Sequence, residues 1–124
     1  MKTKLAFIIF FLALEAMPLQ AQNHTVKTHI NVSGNCIMCK KRIETALDRS
    51  GIKSAHWDVK TKKLEVVYND RKVSEQQIHE LIAASGHDTE RVKAKDEVYA
   101  KLPFCCLYRD HDHSNVKDEH HDHR

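Results

Sequence analysis

The spacing of apolar residues along this chain changes period several times. Over residues 24–32 apolar and polar positions alternate, which predicts a half-buried β-strand. From Cys39 the spacing becomes helical, with Ile43 and Leu47 on one face. Gly51 follows as a residue suited to the left-handed cap of a helix. The folded part of the chain is therefore expected to begin with a strand and a helix.

The next part of the chain predicts two strands, a helix and a last strand. Residues 55–59 and 64–68 alternate and are separated by a polar turn, as in a hairpin. Ser74 and Gln77 have the spacing of a capping box, so a second helix should begin there. Residues 87–94 are weakly apolar and predict a final strand.

This β-α-β-β-α-β order predicts an α+β fold. Two helices can cover one face of a four-stranded antiparallel sheet, which is the ferredoxin-like arrangement. In that topology the first strand–helix loop and the second helix–strand loop lie at the same end. We therefore expect Cys36, Cys39 and His87 to share one edge of the domain.

The amino terminus has the pattern of an export signal. Lys2 and Lys4 precede an apolar run at residues 5–14, which is too short to span a bilayer. Small residues follow, and we predict a signal peptide over residues 1–21, cleaved after Ala21. The expected location is periplasmic or secreted, with no membrane span after signal removal.

Two further segments follow the expected domain at residues 24–94. Residues 95–108 form an extension, in which Asp96 is expected to cap a short helix. Residues 109–124 are too polar to build a core, and we expect a disordered tail. Imidazole and carboxylate groups in that tail suit low-affinity binding of Zn(II), Ni(II) or Cu(II). Its histidines are His111, His113, His120, His121 and His123.

Charge and the remaining histidines add little. The chain has 20 Lys and Arg against 17 Asp and Glu, a net charge of +3, and no basic stripe interleaved with aromatic residues. A nucleic-acid partner is therefore not expected. His29, His56 and His79 fall on predicted solvent faces or in amphipathic segments, and we expect no functional role for them.

Cys36 and Cys39 carry the clearest chemistry. They stand where a strand passes into a helix, and free N–H groups at a helix start favour thiolate over thiol. Thiolates bind soft ions such as Cu(I) and Zn(II), and the same spacing serves thiol–disulfide exchange. Thioredoxin-like enzymes need a cis-proline beside their cysteines, but Pro103 is the only proline beyond the predicted signal. Metal binding is therefore the favoured interpretation.

Over residues 24–94 the chain resembles the heavy-metal-associated domain family. The resemblance is carried by the Cys-x-x-Cys pair after the first strand, by Ile43, and by Gly51 and Gly86. It implies a ferredoxin-like metal carrier with Cys36 and Cys39 as ligands and a metal transporter or another metal-binding domain as partner.

Two positions bear on how the resemblance applies here. Many members of the family carry Met, packed under the loop, where this chain has Gly34, so a looser loop is expected. His87, directly after Gly86, could supply a third ligand.

Cys105 and Cys106 can extend the same site. Adjacent cysteines rarely form a disulfide with each other, because the small ring that such a disulfide closes is strained. Six helical residues and four extended ones span about 22 Å, close to the ~23 Å length of a seven-residue strand, so the extension can reach Cys36 and Cys39. A shared four-sulfur site or a disulfide relay is allowed, and the alternatives are an independent site or an intermolecular bridge.

The sequence therefore predicts an exported, non-enzymatic carrier of one soft metal ion, either a monomer or a metal-bridged dimer. Two-coordinate Cu(I) or Hg(II) is the simplest cargo, because Zn(II) prefers four ligands and would also need His87, Cys105 and Cys106, or a partner. Transfer would proceed by thiolate exchange. The alternatives are a thiol–disulfide redox protein using Cys36 and Cys39 and a disulfide-stapled interaction module.

Overall fold

The computed structural model describes residues 22–111, so the predicted signal peptide and most of the polar tail lie outside the described residues. None of the helices in this range is long and apolar enough to cross a bilayer. In chain order the elements are β1 (Thr25–Asn31), α1 (Ile37–Ala46), β2 (Ile52–Trp57), β3 (Lys63–Asn69), α2 (Glu75–Ala84), α3 (Asp96–Tyr99) and a 3-10 turn (Phe104–Cys106).

The sheet in this range has three antiparallel strands, in the order β1-β3-β2. β3 is the central strand, and its Leu64 pairs with Ile30 of β1 and with Trp57 of β2. Ile30, Leu64 and Trp57 are fully buried beneath the helices, whose Ile43, Ile78 and Ile82 complete the same apolar cluster. Since β1 ends at Asn31 and α1 begins at Ile37, the packing of these two elements fixes the position of the loop at residues 32–36, which we call the metal loop.

The predicted fourth strand at residues 87–94 is wrong: the segment forms one isolated bridge, between Val32 and Thr89, and Asn31 at the end of β1 donates through its side chain to the Glu90 carboxylate at 2.6 Å. Side chains of the segment bond to its own backbone instead. Thr89 Oγ1 accepts hydrogen bonds from the Arg91 and Val92 N–H groups at 3.2 and 3.0 Å. Such local bonds compete with strand pairing, so the segment folds as a turn.

The ends of α2 are formed as predicted. Ser74 Oγ accepts from the Gln77 N–H at 3.1 Å, and Gln77 Oε1 accepts from the Ser74 N–H at 2.9 Å. After the helix Gly86 adopts φ 102°, and a Cβ there would lie 2.8 Å from Leu102 Cδ2. Glycine is therefore required at this position both by the backbone conformation and by the close approach of the carboxy-terminal segment.

The side chain of His79 on α2 is fully buried. Its Nδ1 lies 2.6 Å from Thr89 Oγ1, so it joins α2 to the turn that replaces the fourth strand. Burial lowers the pKa of His79 below its usual value. His79 therefore lies on the buried face of an amphipathic helix, whereas the sequence left open whether it lay on a solvent face or within an amphipathic segment.

Candidate metal centre

Cys36 and Cys39 lie at the start of α1, as predicted. Cys36 is the N-cap residue, with an extended backbone (φ −145°, ψ 178°), and Cys39 stands in the first helical turn. Their Sγ atoms are 3.7 Å apart, and both cysteines are free thiols. Cys39 is fully buried whereas Cys36 is partly exposed. The pair therefore offers one sheltered sulfur and one that solvent or a partner can reach.

The helix start also supplies hydrogen-bond donors to these sulfurs. The Asn35 N–H donates to Cys39 Sγ at 3.3 Å. Burial acts to raise the pKa of Cys36, but the backbone N–H groups of Cys39 and Met38 and the Cys105 thiol outweigh it and leave that pKa lowered. The environment therefore favours the thiolate form of Cys36, which is the form that binds metal.

Trp57 supports the metal loop from below. A Cβ at Gly34 would lie 2.9 Å from Trp57 Cη2 and 3.0 Å from Cys39 Cβ, so the indole occupies the space a side chain there would need. Trp57 is fully buried, and its Nε1–H donates to the Val32 carbonyl at 3.1 Å. The looser loop expected from Gly34 is therefore not what the structure shows, because an aromatic side chain from β2 fills the gap.

A third sulfur reaches the pair from the carboxy-terminal extension. The Sγ atoms of Cys36, Cys39 and Cys106 all lie within 4.8 Å of one another, and Cys106 is fully buried. Burial, and then the neighbouring thiols, raise the pKa of Cys106 well above its usual value. Cys105 lies beside the cluster: its Sγ is 4.0 Å from Cys106 Sγ, and its carbonyl oxygen is 3.6 Å from Cys36 Sγ. The extension therefore does reach the metal loop.

Residues 95–111, which we call the strap, are held against the domain by polar contacts. The Tyr108 hydroxyl donates to the Gly86 carbonyl and accepts from the Asp88 N–H, at 2.8 and 2.9 Å. Arg109 Nη2 and Nε reach the two carboxylate oxygens of Asp88 at 2.8 and 3.2 Å. Arg109 lowers the pKa of Asp88 although burial acts to raise it. These contacts fix the strap on the loop that follows α2.

The strap differs from its prediction in one detail. Lys95 is the N-cap of α3 and Asp96 is its first residue, so Asp96 does not cap the helix as expected. The carboxylate of Asp96 accepts from Arg109 Nη1 at 2.9 Å instead. Sequence reasoning did not identify Tyr108 or Arg109 as anchors, because their partners lie about twenty residues earlier in the chain.

Replacing Arg109 by methionine should lower the free energy of unfolding by about 2 kcal/mol. The change leaves the partly buried Asp88 carboxylate without its guanidinium, and hydrogen bonds to charged groups contribute about 1.5–3 kcal/mol. Urea unfolding of the reduced, metal-free protein measures the loss. Lys101→Met, at an exposed strap position, is the matched control. Equal effects of the two changes would contradict this role for Arg109.

His87 lies beneath the metal loop. Its ring is fully buried and stacks on Tyr108, with centroids 5.5 Å apart. Its Nδ1–H donates to the Ser33 carbonyl at 2.8 Å, and its Nε2 has no hydrogen-bond partner among residues 22–111. Burial lowers the pKa of His87 to about 4. The shared edge with Cys36 is as predicted, whereas a role of His87 as third ligand stays a prediction.

The polar tail is described only at its beginning. The His111 carbonyl accepts from Asn35 Nδ2 at 2.7 Å, which ties the end of the strap to the metal loop. This bridging contact has no local sequence signal, because Asn35 and His111 are far apart in the chain. The predicted low-affinity tail ligands His113, His120, His121 and His123 lie outside the described residues.

Comparison with known proteins agrees with this geometry. The sequence model of the heavy-metal-associated domain matches residues 30–88. A solved structure described as the CopZ metallochaperone is 32% identical, with a TM-score of 0.50 over 52% of this chain and 98% of that chain. No curated protein matches the sequence.

Two further solved structures share the architecture. One is the N-terminal domain of a potential copper-translocating P-type ATPase from Bacillus subtilis in the Cu(I)-loaded state, at 25% identity, TM-score 0.50, 52% coverage of this chain and 84% of that chain. The other, oxidized MerP from Ralstonia metallidurans CH34, shows the fold alone at 22% identity, TM-score 0.51 and coverage of 53% and 94%.

The fold and the paired thiols define a small α+β metal-binding domain. The chain belongs to the heavy-metal-associated domain family. The family match ends at residue 88, so the strap with Cys105 and Cys106 lies beyond it.

Proposed function

We propose that the protein binds one soft metal ion through the thiolates of Cys36 and Cys39 and hands it to another protein. The observation that carries this proposal is the pair of free sulfurs 3.7 Å apart at a helix start, where backbone N–H groups favour negative charge. The activity is carriage in metal-ion homeostasis, and no catalytic step is required of these residues.

Cu(I) is the leading cargo. Thiolate ligands favour soft ions such as Cu(I), and the similar ATPase domain at 25% identity is described in its Cu(I)-loaded state. Hg(II), which is equally soft, is the second candidate. Zn(II) prefers four ligands, so it would need Cys105 and Cys106 or a partner's side chains to complete its shell.

Transfer to the partner would proceed by ligand exchange at the exposed side of the site. Cys36 is partly exposed, and Ile37 and Met38 beside it are 67% and 49% exposed. A partner's thiolate can therefore approach the ion from this side before Cys36 leaves. A metal transporter or another metal-binding domain fits this role, because both offer paired thiols near a surface.

The pattern of residues 1–21 supports a periplasmic or secreted location for this carrier. Expression of the full chain with fractionation, followed by mass measurement, tests the proposal. A mature protein beginning at Gln22 in the exported fraction is expected. An uncleaved chain retained in the cytoplasm would contradict it.

Metal titration tests the main function. The reduced full chain should take up one equivalent of Cu(I) under anaerobic conditions, as read by native mass spectrometry and competition with a chromogenic Cu(I) chelator. Cys36→Ser combined with Cys39→Ser should abolish stoichiometric uptake. Cys105→Ser removes one thiol beside the pair and serves as the control, with uptake retained.

The same samples separate the alternatives. A redox protein would reduce substrate disulfides catalytically without stoichiometric metal uptake by the reduced wild type. A stapled interaction module would neither bind Cu(I), Hg(II) or Zn(II) nor turn over disulfides. Uptake that is unchanged in the double variant would overturn the assignment of Cys36 and Cys39.

A further inference from the structure

We infer that Cys106 is a third ligand, so that the strap closes the Cys36–Cys39 pair into a three-coordinate thiolate site for a soft d10 cation. This inference rests on the proposed function and changes its geometry. A carrier with two thiolates leaves its ion open to solvent. A carrier with a third, buried thiolate from its own carboxy-terminal segment holds the ion until that segment moves away or a partner's thiolate replaces this ligand.

The distance between Cys36 Sγ and Cys39 Sγ fits trigonal coordination better than linear coordination. With metal–sulfur bonds of ~2.3 Å, sulfurs bound trigonally lie ~4.0 Å apart and sulfurs bound linearly lie ~4.6 Å apart. Cys36 and Cys39 are 3.7 Å apart, shorter than the linear value by almost 1 Å. All three sulfurs are within 4.8 Å of one another, so an ion can sit among them after small side-chain movements.

The third sulfur is positioned by contacts within the protein. Leu102 packs against Gly86, and the Tyr108 hydroxyl bonds the Gly86 carbonyl and the Asp88 N–H. Cys106, between these anchors, is fully buried, and its N–H donates to the Pro103 carbonyl at 2.8 Å in the 3-10 turn. Because the strap is ordered by contacts with the protein, adding its sulfur to the ion costs little conformational entropy.

Cys105 is the adjacent thiol but is placed differently. It is only partly buried, and its Sγ is not a member of the compact group formed by Cys36, Cys39 and Cys106. The carbonyl oxygen of Cys105 lies 3.6 Å from Cys36 Sγ, and its thiol interacts with Cys36 from outside that group. The two neighbouring cysteines therefore allow a controlled comparison. Cys106→Ser removes the inferred third ligand, whereas Cys105→Ser makes the same chemical change at a residue that does not bind the ion.

Coordination by Cys106 exchanges its thiol proton for the ion. When the ion binds, the Cys106 proton passes to solvent and the thiolate forms the third metal–sulfur bond. During transfer the partner's thiolates form new bonds to the ion while its bonds to Cys36, Cys39 and Cys106 break one after another, and the released Cys106 thiolate takes a proton from solvent. No electrons are transferred in either step.

X-ray absorption at the copper edge tests the coordination number directly. The reduced full chain is loaded anaerobically with one equivalent of Cu(I). We expect three sulfur neighbours in the wild type and in Cys105→Ser, and two in Cys106→Ser. The chelator concentration that removes half of the Cu(I) should fall by at least tenfold in Cys106→Ser and stay within twofold of the wild type in Cys105→Ser.

Several outcomes would overturn the inference. Two sulfur neighbours around Cu(I) in the wild type would reject the third ligand, and this result does not depend on any variant. Circular dichroism shows whether Cys106→Ser folds, and Cys106→Ala is the second variant if it does not. Three sulfurs that occur only in a dimer fraction would assign the third ligand to a second copy. The double variant Cys36→Ser plus Cys39→Ser could lose Cu(I) uptake while Cys106→Ser keeps the sulfur number and chelator resistance of the wild type. That result would support the proposed function and reject the third ligand.

Discussion

Replacing Trp57 by alanine should lower the free energy of unfolding by about 3–5 kcal/mol, the usual cost of removing a large aromatic side chain from a core. Trp57 is fully buried, and its indole N–H satisfies the Val32 carbonyl at 3.1 Å. Truncation therefore removes apolar contacts and a hydrogen bond together. Urea unfolding followed by circular dichroism measures the change, because Trp57 is the only tryptophan and fluorescence is lost with it. His56→Ala, one residue earlier on the solvent side of β2, should cost much less.

A second substitution can show that Trp57 replaces the methionine that many family members carry two residues before the first cysteine. Gly34→Met alone should destabilise the protein by about 1–3 kcal/mol, because its Cβ would lie 2.9 Å from Trp57 Cη2. In the Trp57→Ala background the same change should restore stability, since the new side chain enters the vacated space. Strictly additive effects in this double-mutant cycle would show that the two side chains do not compete for one space.

The parts of the fold that could be predicted from sequence are those set by local chemistry. Ser74 and Gln77 form their capping box within one helical turn, and Gly51 and Gly86 adopt positive φ where helices end. Cys36 and Cys39 are likewise separated by only two residues and share one helix start. Each of these features depends on neighbours in the sequence, so a pattern could reveal it.

The features that sequence reasoning missed depend on distant contacts. The last strand was expected from weak apolar content, but the side chains of Asp88 and Thr89 bond the backbone of the same segment and form a turn. The burial of His79 was not predicted, because its contact with Thr89 is made by the turn that replaces the last strand. The anchor Arg109 lies in a polar stretch, and only the folded chain brings it to Asp88.

The position of the strap could be predicted only in part from the sequence. Chain length alone showed that Cys106 could arrive at Cys36, and the structure confirms that it does. Length could not decide between Cys105 and Cys106, because that choice depends on the 3-10 turn after Pro103. The turn buries one sulfur in the cluster and directs the carbonyl of the other residue toward Cys36.

Mild acid should destabilise the metal-free protein through His87, by about 3 kcal/mol between pH 7 and pH 4. Burial holds the pKa of His87 at about 4, against 6.5 for an ordinary histidine. Above pH 6.5 the ring is neutral in both the folded and the unfolded chain, so the stability it contributes is fully present. As the pH falls from 6.5 towards 4, the unfolded chain gains a proton that the folded chain does not accept, and stability is lost.

His87→Gln isolates this effect, because glutamine can donate to the Ser33 carbonyl as His87 does but has no proton to gain in this range. Urea unfolding of both proteins at pH 7 and pH 4 gives the comparison, in which the carboxylates and His79 are shared and cancel. The wild type should lose about 3 kcal/mol more than the variant over this interval. An equal loss in both proteins would mean that the folded chain protonates His87 at the ordinary pKa of about 6.5, so that burial does not depress the pKa of this ring.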